Sequence, residues 1–166
     1  MTYREHPSKV VRLVNGQLVS YPPADEEECT LWVALPDAAD EWEGVLGKQL
    51  SDDSAELVGI PVFAHDLNLG DIARVVPSAE GTAVVSGIVS ASGSYTFRAL
   101  FEQESHAGEH WQRLMADLEL FGCWFDAWSQ TLVAISAEAM NALAVADYLA
   151  AREAAGELKY ETGRSR

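Results

Sequence analysis

The chain has 166 residues, 48% of them hydrophobic, and its 26 acidic and 11 basic residues give a net charge of −15. This length and apolar content support one core or two small subdomains. The charge argues against binding to nucleic acid or to an anionic membrane surface, whose phosphates repel it, and favours a basic protein as a partner. The two cysteines are far apart and form no disulfide framework. With no apolar run long enough to cross a bilayer, we expect a cytoplasmic protein of bacterial type.

The first hundred residues are typical of β-structure. Asn15-Gly16 lies between two apolar segments and is a strong hairpin signal, because both turn positions need a positive φ. The segment 42–50 fits either a strand or a short helix. Further strands are predicted over 30–35, 56–60, 72–76, 82–90 and 95–101. Residues 1–94, which include the acidic linker Asp25–Glu28, therefore predict an antiparallel β meander or a small barrel.

The pattern changes to helical spacing after residue 104. Apolar residues recur at helical spacing over 111–121, and Gly122 stands where a helix C-terminal cap belongs. Ser136 is predicted to cap a second helix over 137–155. With strands at 123–128, 131–135 and 158–160, the order from Tyr95 is β-α-β-β-α-β, which is the ferredoxin-like arrangement. We predict an α+β protein whose part 95–161 is ferredoxin-like, with a frayed tail at 162–166, folded as one compact unit.

Four polar side chains near the irregular segment around residue 65 form a candidate binding site. His65 could act as a general base, and Arg98 could bind a carboxylate or a phosphate. Asp66 and Asp71 lie in the same irregular segment, between two β-prone runs. The interpretation that we favour is structural. Asp71 accepts backbone N–H bonds to fix the turn after Gly70, or it pairs with Arg98 beneath a loop while His65 is exposed.

Other candidate chemistry is incomplete. His106 and His110 are four residues apart and could share one helix face, but the spacing is not that of a His-Glu-x-x-His zinc motif, so we predict no metal site. Cys123 is flanked by apolar residues, as a core cysteine is. A Gly-x-Ser-x-Gly elbow, a Gly-x-Gly-x-x-Gly loop and a phosphate-binding loop are all missing from the sequence, so we predict neither a catalytic residue nor a cofactor.

Five short segments, taken in order, resemble an uncharacterised bacterial family, domain of unknown function 4265. They are Ile60–Ala64, Gly70-Asp71-Ile72, Ser92-Gly93 with Thr96 and Arg98, Leu120–Cys123, and Leu132–Ile135. The resemblance spans Leu31 to Glu161. It departs from the family at Ser136 and Ala137, where the family usually has an acid and a proline. The resemblance implies no established activity, and it adds Thr96 to the candidate binding residues.

These observations favour a non-catalytic protein-binding module, for example an immunity-type inhibitor of a basic partner, because complementary charge speeds association. The alternative is a small-molecule-binding protein or an enzyme that uses the region of His65, Asp71 and Arg98. The sequence does not indicate the oligomeric state.

Overall fold

The computed structural model describes residues 1–21, 28–102 and 107–162, which form an α+β fold of two sheets and two helices. The strands of the described residues are β1 (Thr2–Glu5), β2 (Val11–Val14), β3 (Gln17–Ser20), β4 (Glu28–Ala34), β5 (Glu41–Ser51), β6 (Ser54–Leu57), β7 (Ile72–Pro77), β8 (Ala83–Ser90), β9 (Tyr95–Leu100), β10 (Trp124–Ala127), β11 (Leu132–Ala137) and β12 (Lys159–Thr162). The helices are α1 (Ala107–Leu118) and α2 (Ala142–Ala154). Residues 25–27 of the acidic linker lie outside the described residues.

The first sheet closes into a five-stranded barrel. Its order is β1-β5-β4-β8-β7-β6, and β5 also pairs with β6. Neighbouring strands of the barrel are antiparallel except for β4 and β8, which run parallel and close the ring. β1 lies outside the ring and pairs in parallel with β5. The predicted meander is therefore present as a barrel-like sheet.

Two glycines allow β5 to pass close to its neighbour in the barrel. A Cβ atom at Gly47 would lie 2.5 Å from Leu31 Cδ1, and one at Gly44 would lie 2.9 Å from Trp32 Cη2. Side chains at both positions are therefore excluded by β4. This explains why the segment 42–50, which fits either a strand or a short helix by sequence, is a strand: its glycines make room for packing across the sheet.

The second sheet carries both helices on one face. Its order is β12-β9-β11-β10-β2-β3, and all of its pairings are antiparallel. Phe97 and Ile135 on the sheet share one buried cluster with Leu118 of α1 and with Val145 and Leu149 of α2. This cluster is the larger of the two main cores, and it covers one face of the sheet only.

The N-terminal hairpin belongs to the second sheet. Asn15 and Gly16 have φ values of 51° and 76°, as the turn signal predicts. Val11 of β2 pairs with Phe125 of β10. The hairpin therefore lies with residues 95–162 rather than with the barrel. Local sequence cannot indicate this placement, because the pairing joins residues 114 positions apart.

One predicted helix start is wrong. Ser136 and Ala137 are buried residues of β11, so Ser136 does not cap a helix. A short 3-10 turn at Ala139–Asn141 follows, and α2 begins at Ala142. Burial of the strand end against the helices outweighs the local capping preference of serine. By contrast, Gly122 does end the first helical segment, with a φ of 63°.

The irregular segment 58–71, called here the central loop, lies between the two sheets. Ala64 and Leu67 pack into the barrel core, whereas Ile60 and Val62 pack with Ala134 of the second sheet. Buried irregular backbone needs hydrogen-bond partners from outside itself, because it has no ladder of its own. The described part of the chain contains no helix long and apolar enough to span a membrane.

Candidate functional site

A buried charged triad stands beside the central loop. His6 follows β1, Glu43 lies on β5 and Asp126 lies on β10, so both sheets contribute. His6 Nε2 lies 2.6 Å from Glu43 Oε1, and His6 Nδ1 lies 2.9 Å from Asp126 Oδ2. The three side chains are at most 4% exposed. Each ring nitrogen of His6 therefore faces a carboxylate in a place with little access to solvent.

The two carboxylates also bind the backbone of the central loop. Glu43 accepts hydrogen bonds from the N–H groups of Val62, Phe63 and Ala64 at 2.5, 3.0 and 2.6 Å. Asp126 Oδ2 accepts one from Ile60 at 3.1 Å. The triad thus supplies the acceptors for four N–H donors of residues 60–64, as buried backbone requires.

The triad shifts the pKa values of His6 and Glu43. Burial lowers the pKa of His6, but the hydrogen bonds and negative charges of Asp126 and Glu43 outweigh burial and raise it to about 9. Burial raises the pKa of Glu43, but His6 and the backbone N–H groups outweigh it, and the pKa is lowered overall. At neutral pH His6 is therefore an imidazolium ion between two carboxylates.

Asp71 binds its own turn and the next one. Its Oδ2 accepts the Asn68 N–H and its Oδ1 accepts the Ser92 N–H, both at 2.8 Å. Gly70 has a φ of 84°, as an abrupt turn requires. Asp71 therefore accepts backbone N–H bonds at the turn after Gly70, which is the structural role considered for it from the sequence. His65 is half-buried and Asp66 is exposed on the same loop.

Arg98 and Thr96 reach the central loop from β9. Arg98 Nη2 donates to the carbonyl oxygens of Pro61 at 3.3 Å and Ala64 at 2.6 Å. Thr96 Oγ1 donates to Asn68 Oδ1 at 2.7 Å. The structure thus brings Thr96, Arg98 and Asp71 to one loop, but Asp71 and Arg98 have different partners there. The ion pair of Arg98 is with Glu161, at 3.6 Å.

An open groove of about 290 Å³ lies beside Arg98. Its walls come from the central loop, β9, β11 and β12, and are formed by Val62, Phe63, Leu100, Leu132, Lys159, Tyr160 and Glu161. Arg98 is only 3% exposed, and its Nε and Nη1 atoms have no hydrogen-bond acceptor. Arg98 is thus a candidate site residue that lines the groove and has N–H donors without an acceptor.

The structure describes only one of the two metal candidates, His110. His106 lies outside the described residues, and the ring of His110 stacks on Phe101 with centroids 5.6 Å apart. Among the described residues, no group of three or more His, Cys, Asp or Glu side chains could hold a metal ion.

The triad is the part of the site that sequence reasoning missed. Asp126 stands within the aromatic run Trp124–Trp128, and Glu43 stands between Trp42 and Gly44 in a strand-like segment. An acid whose sequence neighbours on both sides are apolar or glycine is the available signal, since such an acid, if buried, must be paired or strongly hydrogen-bonded. His6 carries no comparable signal, because it is near the chain start and 120 residues from Asp126.

The structure resembles that of a hypothetical protein from Neisseria gonorrhoeae. The two share 16% sequence identity and a TM-score of 0.67, over 86% of this chain and 97% of that one. At this identity the likeness concerns the fold alone. No curated protein matches the chain at a significant level. The model of a family described as a domain of unknown function, DUF4265, matches residues 43–160. The chain therefore belongs to the DUF4265 family.

Proposed function

We propose that this protein is a non-catalytic binding module for a basic protein partner, for example as an immunity-type inhibitor. One observation carries the proposal: the negative charge lies on the surface. Among the acidic residues that the structure describes, only Glu43, Asp71 and Asp126 are buried, and all three bind the central loop or its turn. An excess of surface charge speeds association with a partner of opposite charge.

Two groups that could perform chemistry, His6 and Cys123, are engaged in the fold, which supports a non-catalytic role. A general base needs a free lone pair near its substrate, but both ring nitrogens of His6 face carboxylates. Burial raises the pKa of the Cys123 thiol to about 12, so it is no nucleophile at neutral pH.

Affinity capture at low ionic strength, followed by binding of the two purified proteins, tests the proposal. We expect the recovered partner to have a high pI and to associate more slowly as salt is added, because screening weakens the attraction between the two surfaces. The dissociation rate serves as the internal control, since it depends less on long-range charge. The proposal is wrong if no captured protein binds again in purified form, or if association is independent of salt.

A small-molecule-binding function is the second candidate. The specific observation in its favour is the pair of Arg98 donors without an acceptor beside the groove. Asp71 does not add to this candidate site, since both of its oxygens bind backbone N–H groups.

We also infer that residues 95–161 form a ferredoxin-like unit. The strand order β12-β9-β11-β10 and the antiparallel pairing of neighbours support this, since a split β-α-β arrangement places the strands in that way. Comparison of a refined experimental structure of this part with ferredoxin-like domains tests it.

A cytoplasmic location is proposed on the state of the thiols. Cys29 and Cys123 are both free, which suits a reducing compartment. Fractionation of cells that produce the protein at native levels tests the location.

A further inference from the structure

We propose that the groove beside Arg98 binds a small organic carboxylate with an apolar body, and that the Glu161 side chain occupies the carboxylate position when no ligand is bound. This inference rests on the second candidate function above and is independent of binding to a basic protein.

The guanidinium of Arg98 is anchored on one side only. Its Nη2 atom is used by the Pro61 and Ala64 carbonyls, while its Nη1 atom lies 3.6 Å from Glu161 Oε1, too far for a hydrogen bond. Burial lowers the pKa of Arg98, but the group stays charged, because an arginine pKa lies far above neutral pH. A buried cation without full hydrogen bonding is costly, and an incoming acceptor relieves that cost.

Glu161 already shows which chemical group fits beside Nη1. It is a carboxylate on the edge strand β12, and its side chain is 60% exposed, so it can move into solvent at little cost. A ligand carboxylate that takes its place gains the charge-assisted hydrogen bond that Glu161 does not make.

The walls of the groove determine the polarity and the size of the rest of the ligand. Val62, Phe63, Leu100 and Leu132 are apolar, so the body of the ligand should be apolar too. A volume of about 290 Å³ admits only a small molecule. Inorganic phosphate is disfavoured, because a dianion without an apolar body is costly to desolvate there and is repelled by the net charge of −15.

Titration of ¹⁵N-labelled protein with benzoate, benzamide and inorganic phosphate tests the proposal. Benzoate should move the Arg98 side-chain Nε–Hε signal and the amide signals of the groove in a saturable way. Benzamide, which has the same shape without the charge, and phosphate, which has charge without the apolar body, should bind at least tenfold more weakly.

Two variants and a matched control sharpen the test. Glu161→Gln should strengthen benzoate binding by up to about fivefold, because the resident carboxylate is removed. Glu138→Gln removes the same charge from an exposed residue beyond the opposite end of β11 and should leave the affinity unchanged. Leu100→Trp, at a wall residue that is 42% exposed, should fill the groove and abolish binding while Arg98 stays in place.

Three results would overturn the inference: no saturable shift with benzoate, equal shifts with benzamide, or equal effects of Glu161→Gln and Glu138→Gln. None of them bears on the partner-binding proposal, whose readout is the salt dependence of association with a protein.

Discussion

His6 holds a positive charge in a place that excludes water, and it can do so because Glu43 and Asp126 face its two ring nitrogens. The three side chains depend on one another. Removal of any one side chain leaves an uncompensated charge or unpaired backbone donors in the interior. The resulting loss of folding free energy is larger than the net stabilisation that the intact ion pairs provide.

The His6 charge should make stability depend on pH. The pKa of His6 is raised from the ordinary 6.5 to about 9 in the folded protein. The stabilisation of the folded state by the His6 charge is therefore fully present below pH 6.5 and is lost as pH rises through 9. The loss should be on the order of 3 kcal/mol. Urea unfolding across this window measures it. A His6→Gln variant, which cannot titrate there, should be less stable at neutral pH and nearly independent of pH. An equal pH dependence in both proteins would contradict this account.

Glu43 should matter far more than a neighbouring acid on the same strand. Glu43→Gln leaves the Val62, Phe63 and Ala64 donors facing an amide and His6 short of a counter-charge, so we expect a loss of about 3 kcal/mol or more in the free energy of unfolding. Glu41→Gln is the matched control. Glu41 makes a partly exposed ion pair with Arg4, so its loss should be below about 1 kcal/mol. Chemical denaturation compares the two, and similar losses would refute the assigned role of Glu43.

The central loop is an element in its own right, although it has no regular hydrogen-bond ladder. Its apolar side chains divide between the barrel and the second sheet, and its backbone is bonded by the triad, Arg98 and Asp71. The loop therefore acts as the middle layer of the molecule.

Asp71 should protect this layer from opening. Asp71→Ala removes the acceptor of the Asn68 and Ser92 N–H groups, so both amides should exchange their hydrogen faster, with a loss of about 1–2 kcal/mol in stability. Hydrogen exchange followed by NMR measures both effects. Asp147→Asn, at an exposed position on α2, is the control. Unchanged protection of Asn68 and Ser92 in Asp71→Ala would show that other contacts hold the turn.

The close packing of the β5 glycines gives a second prediction at the scale of an element, for the stability of the barrel. Gly47→Ala places a methyl group against the fully buried Leu31, so the barrel must shift and stability should fall by about 1–3 kcal/mol. Gly87→Ala in β8 meets nothing within 4 Å, so its effect should stay within about 0.5 kcal/mol. Thermal unfolding of both variants measures the two changes in stability. If Gly47→Ala is as mild as Gly87→Ala, close packing between β4 and β5 is not what requires the glycine.

At the scale of the molecule, the barrel and the helix-covered sheet should unfold together. Glu43 belongs to one sheet and Asp126 and Arg98 belong to the other, and all three bind the central loop. Loss of either sheet would expose the loop and leave its buried charged groups without partners. Residue-resolved NMR intensities in urea should therefore fall at one midpoint for β5 to β7 and for β9 to β11. Barrel signals that persist after the second sheet is lost would show two independent units.

Sequence by itself determined the features that depend on a few adjacent residues. The Asn15-Gly16 hairpin, the Gly122 helix end and the Asp71 turn follow from backbone preferences and short hydrogen bonds, and the α+β class and the family follow from the order of segments. Tertiary structure alone decided the pairing of β2 with β10, the closure of β4 on β8 and the meeting of His6 with Glu43 and Asp126. These contacts join residues from 37 to 120 positions apart along the chain. No local preference encodes such a contact, because its free energy arises only when the core forms and the buried charges must find partners.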